Sequence, residues 1–270
     1  MVGSLLTRGM LIGFVAGILC FGFLRLVGEP PVDRAIAFEA AADEARDKAE
    51  GHVHDHAESD HAMAMSRDSM AKPDSEPELV SRSTHAGLGL FTGVTVYNTA
   101  FGGLFALVFA FAYRRMGDFD ARTTSALLAV SGIIAVYIVP ILKYPANPPA
   151  VGAPETIGMR TGLYFAMIAI SLAAMIAAWM LRNRLLSRFG GWNAALIAGA
   201  AYLLVVIAVA AALPDVNEVP DGFPAVVLWQ FRMASAGAQL IMWATIGLGF
   251  GALTERAAAS RSGLRFKTAR

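Results

Sequence analysis

Six long apolar stretches constrain this chain more than any other feature of its sequence. They cover residues 9–27, 87–113, 123–142, 161–181, 193–213 and 226–253. A membrane-spanning helix needs roughly 20 predominantly apolar residues to cross about 30 Å of hydrocarbon. The chain is 56% hydrophobic and only 16% charged, whereas soluble domains are about 25% charged. We therefore predict an all-α, polytopic transmembrane helix bundle of six spans, arranged as three helical hairpins.

The first and last stretches each leave an alternative open. Arg232 and Gln239 interrupt the last one, so a five-span alternative makes it an interfacial segment. The first one follows Arg8 as a secretory signal would, but no small-x-small cleavage pattern closes it. We predict a retained first helix over residues 1–27. The single cysteine, Cys20, is interpreted as a packing residue because it has no cysteine partner in the chain.

Positive charge alternates between the loops and predicts the side of the membrane that each one faces. The loops 143–160 and 214–225 are poor in lysine and arginine. Cytoplasmic loops are enriched in these residues, so both termini are expected in the cytoplasm. The basic segments comprise Arg114, Arg115 and Arg122, then Arg182, Arg184 and Arg188, and in the tail 256–270 Arg256, Arg261, Arg265, Lys267 and Arg270.

One long segment, residues 28–86, separates the first helix from the five-helix remainder over 87–255 and is expected outside the cytoplasm. It carries 14 Asp and Glu against six Lys and Arg. Residues 35–50 are rich in alanine and predict a short helix. Most of 51–78 has too few large apolar side chains to fold alone, and we predict that it is disordered.

Four of the five histidines lie within ten residues of this segment, among carboxylates. Imidazole binds cobalt, nickel, zinc and copper, and carboxylates can complete the shell. In an extended chain three of the histidines point the same way, whereas a helix would place His54, Glu58 and His61 on one face. We interpret the segment as a site of weak metal capture, the alternative being a solvated polar linker. The candidate ligands are His52, His54, His56 and His61.

Three proline-rich segments, 28–34, 143–152 and 214–224, follow the odd-numbered helices. Proline ends a helix and fixes the chain, so oxygen-bearing side chains are presented at the outer membrane surface. We predict that these turns converge on a vestibule that attracts a cation, the alternative being ordinary helix ends in external loops. The candidate cation ligands are Glu29, Asp33, Glu155 and Glu218.

Few charges lie inside the spans, so an ion path would have to use neutral oxygens. Arg232 is expected to pair with an outer acid such as Glu218, and His85 is a candidate hand-over ligand at the mouth of the second helix. The candidate pathway residues are Thr92, Thr95, Asn98, Thr99, Tyr137, Asn147 and Gln239. The alternative is that these Thr and Asn side chains bond neighbouring helices.

Glycines at four-residue spacing, Gly9, Gly13 and Gly17, predict close packing of the first helix against a neighbour. Gly247, Gly249 and Gly251 lie within a span, without a preceding strand or a Gly-Lys-Ser/Thr sequence, so they do not indicate a nucleotide loop. No catalytic motif is visible, and we predict a protein that is not an enzyme. The basic tail is expected to contact anionic lipid rather than nucleic acid.

Four separated motifs resemble the family of the predicted cobalt transporter subunit CbtA. They are GEPPVDRA at 28–35, GLFTG at 89–93, KYPANPPAVG at 143–152 and NEVP at 217–220. The resemblance implies a multi-pass protein of the bacterial inner membrane that supplies cobalt for cobalamin. It also implies a small single-span, histidine-bearing partner, CbtB. Co²⁺ would be the transported ion rather than a permanently bound cofactor.

Four functions follow from these observations and differ in what they require. The first is cobalt uptake driven by a gradient or by the membrane potential, and the second is uptake of nickel, zinc or copper. The third is a non-transporting membrane subunit whose acidic segment binds metal or a partner. A membrane enzyme is the fourth, for which the sequence shows no catalytic constellation.

Overall fold

The computed structural model describes residues 2–54 and 85–268, which are almost entirely helical and contain no β-strand. The α-helices are α1 (Val2–Phe23), α2 (Glu29–His54), α3 (Leu90–Ala112), α4 (Ala121–Ile133), α5 (Val139–Lys143), α6 (Ile157–Ala212) and α7 (Ala225–Thr268). Wider π-helical turns cover Leu24–Gly28, His85–Gly89 and Ile134–Ile138, and a 3₁₀ turn covers Pro154–Thr156. The all-α membrane bundle predicted from the sequence is confirmed, with five helices long and apolar enough to cross a membrane.

The first helix does not stop at its prolines, which corrects the expected turn over 28–34. The π-helical turn Leu24–Gly28 joins α1 directly to α2, with the Glu29 amide donating to the Leu24 carbonyl. Pro30 and Pro31 then fall in the first turn of α2, the position in which a helix tolerates proline. The predicted helix over 35–50 is present but begins earlier, at Glu29. Of the stretch 51–78 that was predicted to be disordered, residues 51–54 are the end of α2, and the rest lies outside the described residues.

Helix α6 folds back on itself at Gly190, whose φ of 71° and ψ of 169° are not helical. The Ser171 and Tyr202 hydroxyl oxygens are 2.8 Å apart, whereas 31 residues of straight helix would separate them by about 46 Å. The arms 157–189 and 191–212 therefore pack against each other. The number of membrane crossings stays a prediction, and this reversal favours six over five.

The two ends of the bundle differ in charge. At one end Arg122 Nε lies 3.0 Å from Glu255 Oε2, and the Asn183 side chain donates to the Arg115 carbonyl oxygen over 2.9 Å. The start of α1 points to the same end, because Gly9 packs against Gly102 and Ala106 in the second half of α3, whereas Gly17 packs against Thr95 in its first half. The start of α1 and the second half of α7 thus lie at the same end of the bundle, which favours an even number of passes. The opposite end carries the proline-rich segments 143–156 and 214–224.

The glycines of α1 form the predicted close contact, and their partner is α3. A Cβ atom on Gly17 would lie 2.8 Å from the Thr95 Cα, and one on Gly13 would lie 3.0 Å from the Thr99 Cα. Helix α7 also lies close to α4 at a glycine. There the Ser125 hydroxyl donates to the Gly247 carbonyl oxygen over 2.6 Å. The glycines of α7 therefore serve helix packing. They are part of a helix that is itself a candidate span, contrary to the interfacial alternative.

Candidate ion vestibule and intramembrane cavities

The proline-rich segments 143–156 and 214–224 contact each other at the end opposite the basic loops. Lys143 forms an ion pair with Asp215, and the Tyr144 hydroxyl donates to the Pro214 carbonyl oxygen over 2.9 Å. Because prolines cannot donate backbone hydrogen bonds, side chains bridge the two segments instead. The segments are therefore held in a fixed relation at the membrane surface.

Glu218 is the centre of this contact. Its Oε2 accepts hydrogen bonds from the Ala153 amide at 2.9 Å and the Thr156 hydroxyl at 2.8 Å, and Arg160 Nε lies 3.3 Å away. The Thr156 and Ala153 donors, with the nearby Arg160 charge, lower the pKa of Glu218 below its ordinary value of 4.5. The carboxylate is therefore ionised, and its bonding capacity is largely occupied within the protein.

Arg232 does not pair with Glu218, which corrects the sequence-based expectation. Its Nε donates to the Ala146 carbonyl oxygen over 3.2 Å, and its Nη2 donates to Asn147 Oδ1 over 3.0 Å. Arg160 already neutralises Glu218, while the proline-flanked loop offers Arg232 two oxygens that match its planar donors. The predicted pathway residue Asn147 thus holds an arginine in this conformation.

The part of α2 that follows the proline-bearing segment 28–34 also reaches this end of the bundle. Ala35 is fully buried against Val151, Phe223 and Val227, and the Phe38 and Phe223 rings meet edge to face with centroids 5.0 Å apart. Because this contact is apolar, α2 and the two proline-rich segments meet through packed apolar side chains rather than through acidic ones.

The four candidate acids are not gathered into one metal site. Glu29 is buried, with 8% of its surface exposed, whereas Asp33 and Glu155 are exposed and Glu218 is paired with Arg160. Within residues 2–48 and 87–259, whose side chains the structure describes, there is no group of three or more His, Cys, Asp or Glu that could hold a metal ion.

A cavity of about 420 Å³ opens beneath the proline-rich segments, and we call it the outer cavity. It brings together three predicted pathway residues, Tyr137, Asn147 and Gln239. Tyr137 Oη lies 3.3 Å from the Ser235 hydroxyl on α7. The other polar lining residues were not predicted from the sequence. Arg232, Ser235 and Gln239 repeat at helical spacing, and this spacing could have indicated a polar face on α7. Those lining residues are Tyr144, Arg160, Thr161, Tyr164 and Ser235.

A second cavity, of about 290 Å³, lies between α1, α3 and α7, and we call it the Cys20 cavity. Asn98 and Gln239 line it together with Cys20 and Met242. Gln239 also lines the outer cavity, so one side chain borders both spaces. Cys20, interpreted from sequence as a packing residue, is 2% exposed and is part of this wall.

The threonines of α3 do not line either cavity. Thr92 is exposed on the outside of the bundle, and the Thr99 hydroxyl donates to the Thr95 carbonyl over 2.7 Å. Thr95 is buried, and its hydroxyl has no hydrogen-bond partner among the described residues. Of the predicted polar residues on α3, only Asn98 borders a cavity in this conformation.

The structure describes the backbone of three of the five candidate histidines. His52 and His54 belong to the last turns of α2, and His85 begins the π-helical turn that precedes α3. His56 and His61 lie outside the described residues. Metal capture by these histidines stays a prediction.

Toward the basic end aromatic rings fill the space between α3 and α7. Phe105, Phe109 and Phe250 are each no more than 4% exposed, and the Phe109 and Phe250 rings pack with centroids 5.0 Å apart. Together with the glycine contact between α1 and α3, these rings fill the space below the two cavities. A further cavity, of about 620 Å³, lies between α4 and α6 and reaches Arg182 near the basic end.

Comparison with known proteins agrees with the four motifs noted in the sequence. No curated protein and no solved structure matches the chain. The family model described as probable cobalt transporter subunit (CbtA) matches residues 2–255, which include four of the five candidate spans and all but the last four residues of the fifth. The chain therefore belongs to the CbtA family of probable cobalt transporter subunits.

Proposed function

We propose that this protein carries a divalent transition-metal ion, cobalt first, across the membrane from the proline-rich end to the basic end. Membership of a family of probable cobalt transporter subunits supports transport. The observation that carries the proposal is the pair of cavities that share Gln239, because they provide a polar route into an otherwise apolar bundle. Nickel, zinc and copper are alternative cargoes, since they bind similar ligands.

The charges at the outer cavity suit an ion that is held by neutral oxygens. Arg160 lines the cavity, and its charge would repel a cation if it were alone. Glu218 lies 3.3 Å from Arg160 Nε and offsets that charge. Tyr137 and Gln239 then offer hydroxyl and amide oxygens in place of part of the hydration shell.

The membrane potential is sufficient to drive such an uptake. Moving one elementary charge through 100 mV is worth about 2.3 kcal/mol, so a divalent ion gains about 4.6 kcal/mol. Transport would also require the Phe105, Phe109 and Phe250 contact to open, because that contact fills the space between α3 and α7 toward the basic end. The proposed mechanism is therefore alternating exposure of the cavities to the two sides.

The histidine-bearing segment and a partner subunit have supporting roles in this proposal. His52, His54, His56 and His61 would capture scarce metal outside the cytoplasm, and His85 would pass it to the bundle. The family description names a subunit, and a small single-span membrane protein that bears histidine is the partner we propose. The setting we propose is the bacterial inner membrane.

Uptake of Co²⁺ into proteoliposomes that contain the purified chain, with the interior negative, tests the function. Replacement Gln239→Leu should slow uptake by roughly tenfold or more, because one lost ion–oxygen contact worth about 1.4 kcal/mol changes a rate tenfold. Gln230→Leu is the matched control, since Gln230 lies on the same helix but lines neither cavity. Equal uptake by both variants would remove the shared cavity route from the mechanism.

A non-transporting subunit is the second candidate, and the aromatic contact toward the basic end favours it. In that case the chain would bind metal at its outer end and deliver it to a partner that forms the channel. Liposomes with the chain alone would then take up no Co²⁺, while addition of the single-span partner would restore uptake.

A further inference from the structure

We propose that a groove between α4 and the two arms of α6 binds an anionic phospholipid, with an acyl chain in the groove and the phosphate on Arg182. The groove is the cavity of about 620 Å³ that reaches Arg182, and ligand pockets have volumes of about 300–1,000 Å³. It shares no lining residue with the outer cavity or the Cys20 cavity. The site is therefore separate from the proposed ion route and does not depend on it.

The walls of the groove are apolar and suit a hydrocarbon chain. Ile134 and Met175 line it together with three small residues of the second arm of α6, Ala195, Ala198 and Gly199. No atom lies within 4 Å of the position that a Cβ atom on Gly199 would take. The groove therefore exists because these small side chains leave the space beside the second arm unfilled.

The polar groups in these walls are already bonded within the protein. Trp179 Nε1 donates to the Ser131 hydroxyl over 3.0 Å, and the Tyr202 and Ser171 hydroxyl oxygens lie 2.8 Å apart. Because these groups have partners, an apolar chain can lie against them without leaving a buried polar group unsatisfied.

The groove opens on the outer surface of the bundle. Leu196 and Leu203 line it and are each 55% exposed, and lipid tails are as apolar as leucine. From Ala195 to Leu203 a helix rises about 12 Å, whereas one leaflet contributes about half of the roughly 30 Å of hydrocarbon. A chain from the leaflet at the basic end can therefore lie in the groove over most of the depth of that leaflet.

Arg182, at the basic end of the groove, has one edge of its guanidinium group available. Its Nη1 donates to the Met116 carbonyl oxygen over 3.2 Å and to Asn183 Oδ1 over 3.0 Å. Neither Nε nor Nη2 of Arg182 has a hydrogen-bond partner among the described residues. These two nitrogens form the planar edge that binds a phosphate through two parallel hydrogen bonds. The Phe119 and Trp179 rings, with centroids 5.3 and 5.5 Å from the guanidinium carbon, hold the side chain in place.

The charges around Arg182 favour an anion. Arg184 is exposed two positions further along α6. Asp118 and Asp120 in the preceding loop are exposed, and neither forms an ion pair with Arg182 in the part of the chain that the structure describes. A partner helix would have to bring an acidic side chain to Arg182, whereas a phospholipid carries an apolar chain and a phosphate in one molecule.

Native mass spectrometry of the delipidated full-length protein, titrated with phosphatidylglycerol or phosphatidylcholine, tests the site. We expect one phosphatidylglycerol to bind at concentrations at which phosphatidylcholine does not. Replacement Arg182→Gln should weaken this binding roughly tenfold or more, because two hydrogen bonds to a charged group are lost. Arg184→Gln is the matched control and should bind the lipid as the wild type does.

Replacement Gly199→Leu tests the groove separately from the charge. The leucine side chain would occupy the space of the acyl chain and should also weaken binding roughly tenfold. Gly158→Leu is its control, since Gly158 lies on the same helix with nothing within 4 Å of a Cβ atom and does not line the groove. Thermal unfolding in detergent checks that both variants fold.

Three outcomes would overturn the site. They are equal affinity of the wild type for the two lipids, equal lipid binding by Gly199→Leu and Gly158→Leu, and a dimer that Gly199→Leu abolishes, which would make a second copy of the chain the occupant. Glycerol phosphate, which has the anion without the chain, should not displace the lipid at equal concentration. Displacement by it would show a free phosphate site instead.

Discussion

Gly13 on α1 lies directly against the backbone of Asn98 on α3, so that a Cβ atom on Gly13 would overlap the Asn98 carbonyl oxygen. The same Asn98 turns its side chain toward Cys20. This close contact between two helices therefore also sets the position of a polar group in the Cys20 cavity. Packing and the candidate metal path share one residue.

Replacement Gly13→Ala should force α1 and α3 apart and lower the stability of the protein. Overpacking of this kind typically costs about 1–3 kcal/mol. Thermal unfolding in detergent measures the effect. Gly22→Ala is the matched control on the same helix, because nothing lies within 4 Å of a Cβ atom there. Equal midpoints for the two variants would show that the close contact does not stabilise the bundle.

Replacement Glu218→Gln should destabilise the outer end at neutral pH and have little effect in acid. The hydrogen bonds from Thr156 and Ala153, with the Arg160 charge, lower the pKa of Glu218 below 4.5 in the folded protein. A carboxyl group with a lowered folded pKa contributes stability above its unfolded pKa, and that contribution is lost as the pH falls through the folded pKa.

Thermal unfolding of the wild type and Glu218→Gln, at pH 7 and at stepwise lower pH, checks this dependence. The two unfolding midpoints should differ at pH 7 and converge below about pH 4.5. Glu155→Gln is the control in the same loop region, because Glu155 is exposed. A difference between wild type and Glu218→Gln that persisted in acid would contradict the assigned charge.

Replacement Arg232→Lys should loosen the loop that follows α5. Lysine cannot reproduce the planar pair of donors that Arg232 directs to the Ala146 carbonyl and Asn147 Oδ1. The lost hydrogen bonds are worth about 1.5–3 kcal/mol when one partner is charged. Limited proteolysis of the loop 144–153 should therefore accelerate. Arg184→Lys, at the exposed basic end, should leave that cleavage rate unchanged.

The spans, the charge asymmetry and the glycine contact were all predictable from local patterns, because they depend on apolar length, loop composition and four-residue spacing. The continuation of α1 through Pro30 and Pro31 was not, since the π-helical turn Leu24–Gly28 has no clear signal in its sequence. Local patterns also could not predict which residues that are distant in the chain contact each other. Cys20 meets Asn98 and Ala238, which are 78 and 218 positions away in the chain.

Among the candidate site residues, several neutral residues inside the spans border a cavity, whereas the four candidate acids border neither cavity. Gln239 and Tyr137 border a cavity because polar groups inside an apolar bundle have few other places to lie. Glu218 was predicted as a cation ligand and Asn147 as a pathway residue, but arginines engage both of them. The sequence shows which charged residues are present but not which of them pair with each other, so the pairing is visible only in the fold.

The direction of transport depends on which end of the bundle faces the cytoplasm, and labelling in intact cells decides it. Single cysteines introduced as Asp221→Cys and Arg188→Cys, each in a Cys20→Ser background, lie exposed at the proline-rich and basic ends, respectively. A membrane-impermeant maleimide should label the first and not the second, because arginine-rich loops stay in the cytoplasm. Permeabilised cells provide the control, since both sites should then react. Labelling of position 188 alone in intact cells would reverse the orientation and place both cavities on the cytoplasmic side, where they would serve metal export.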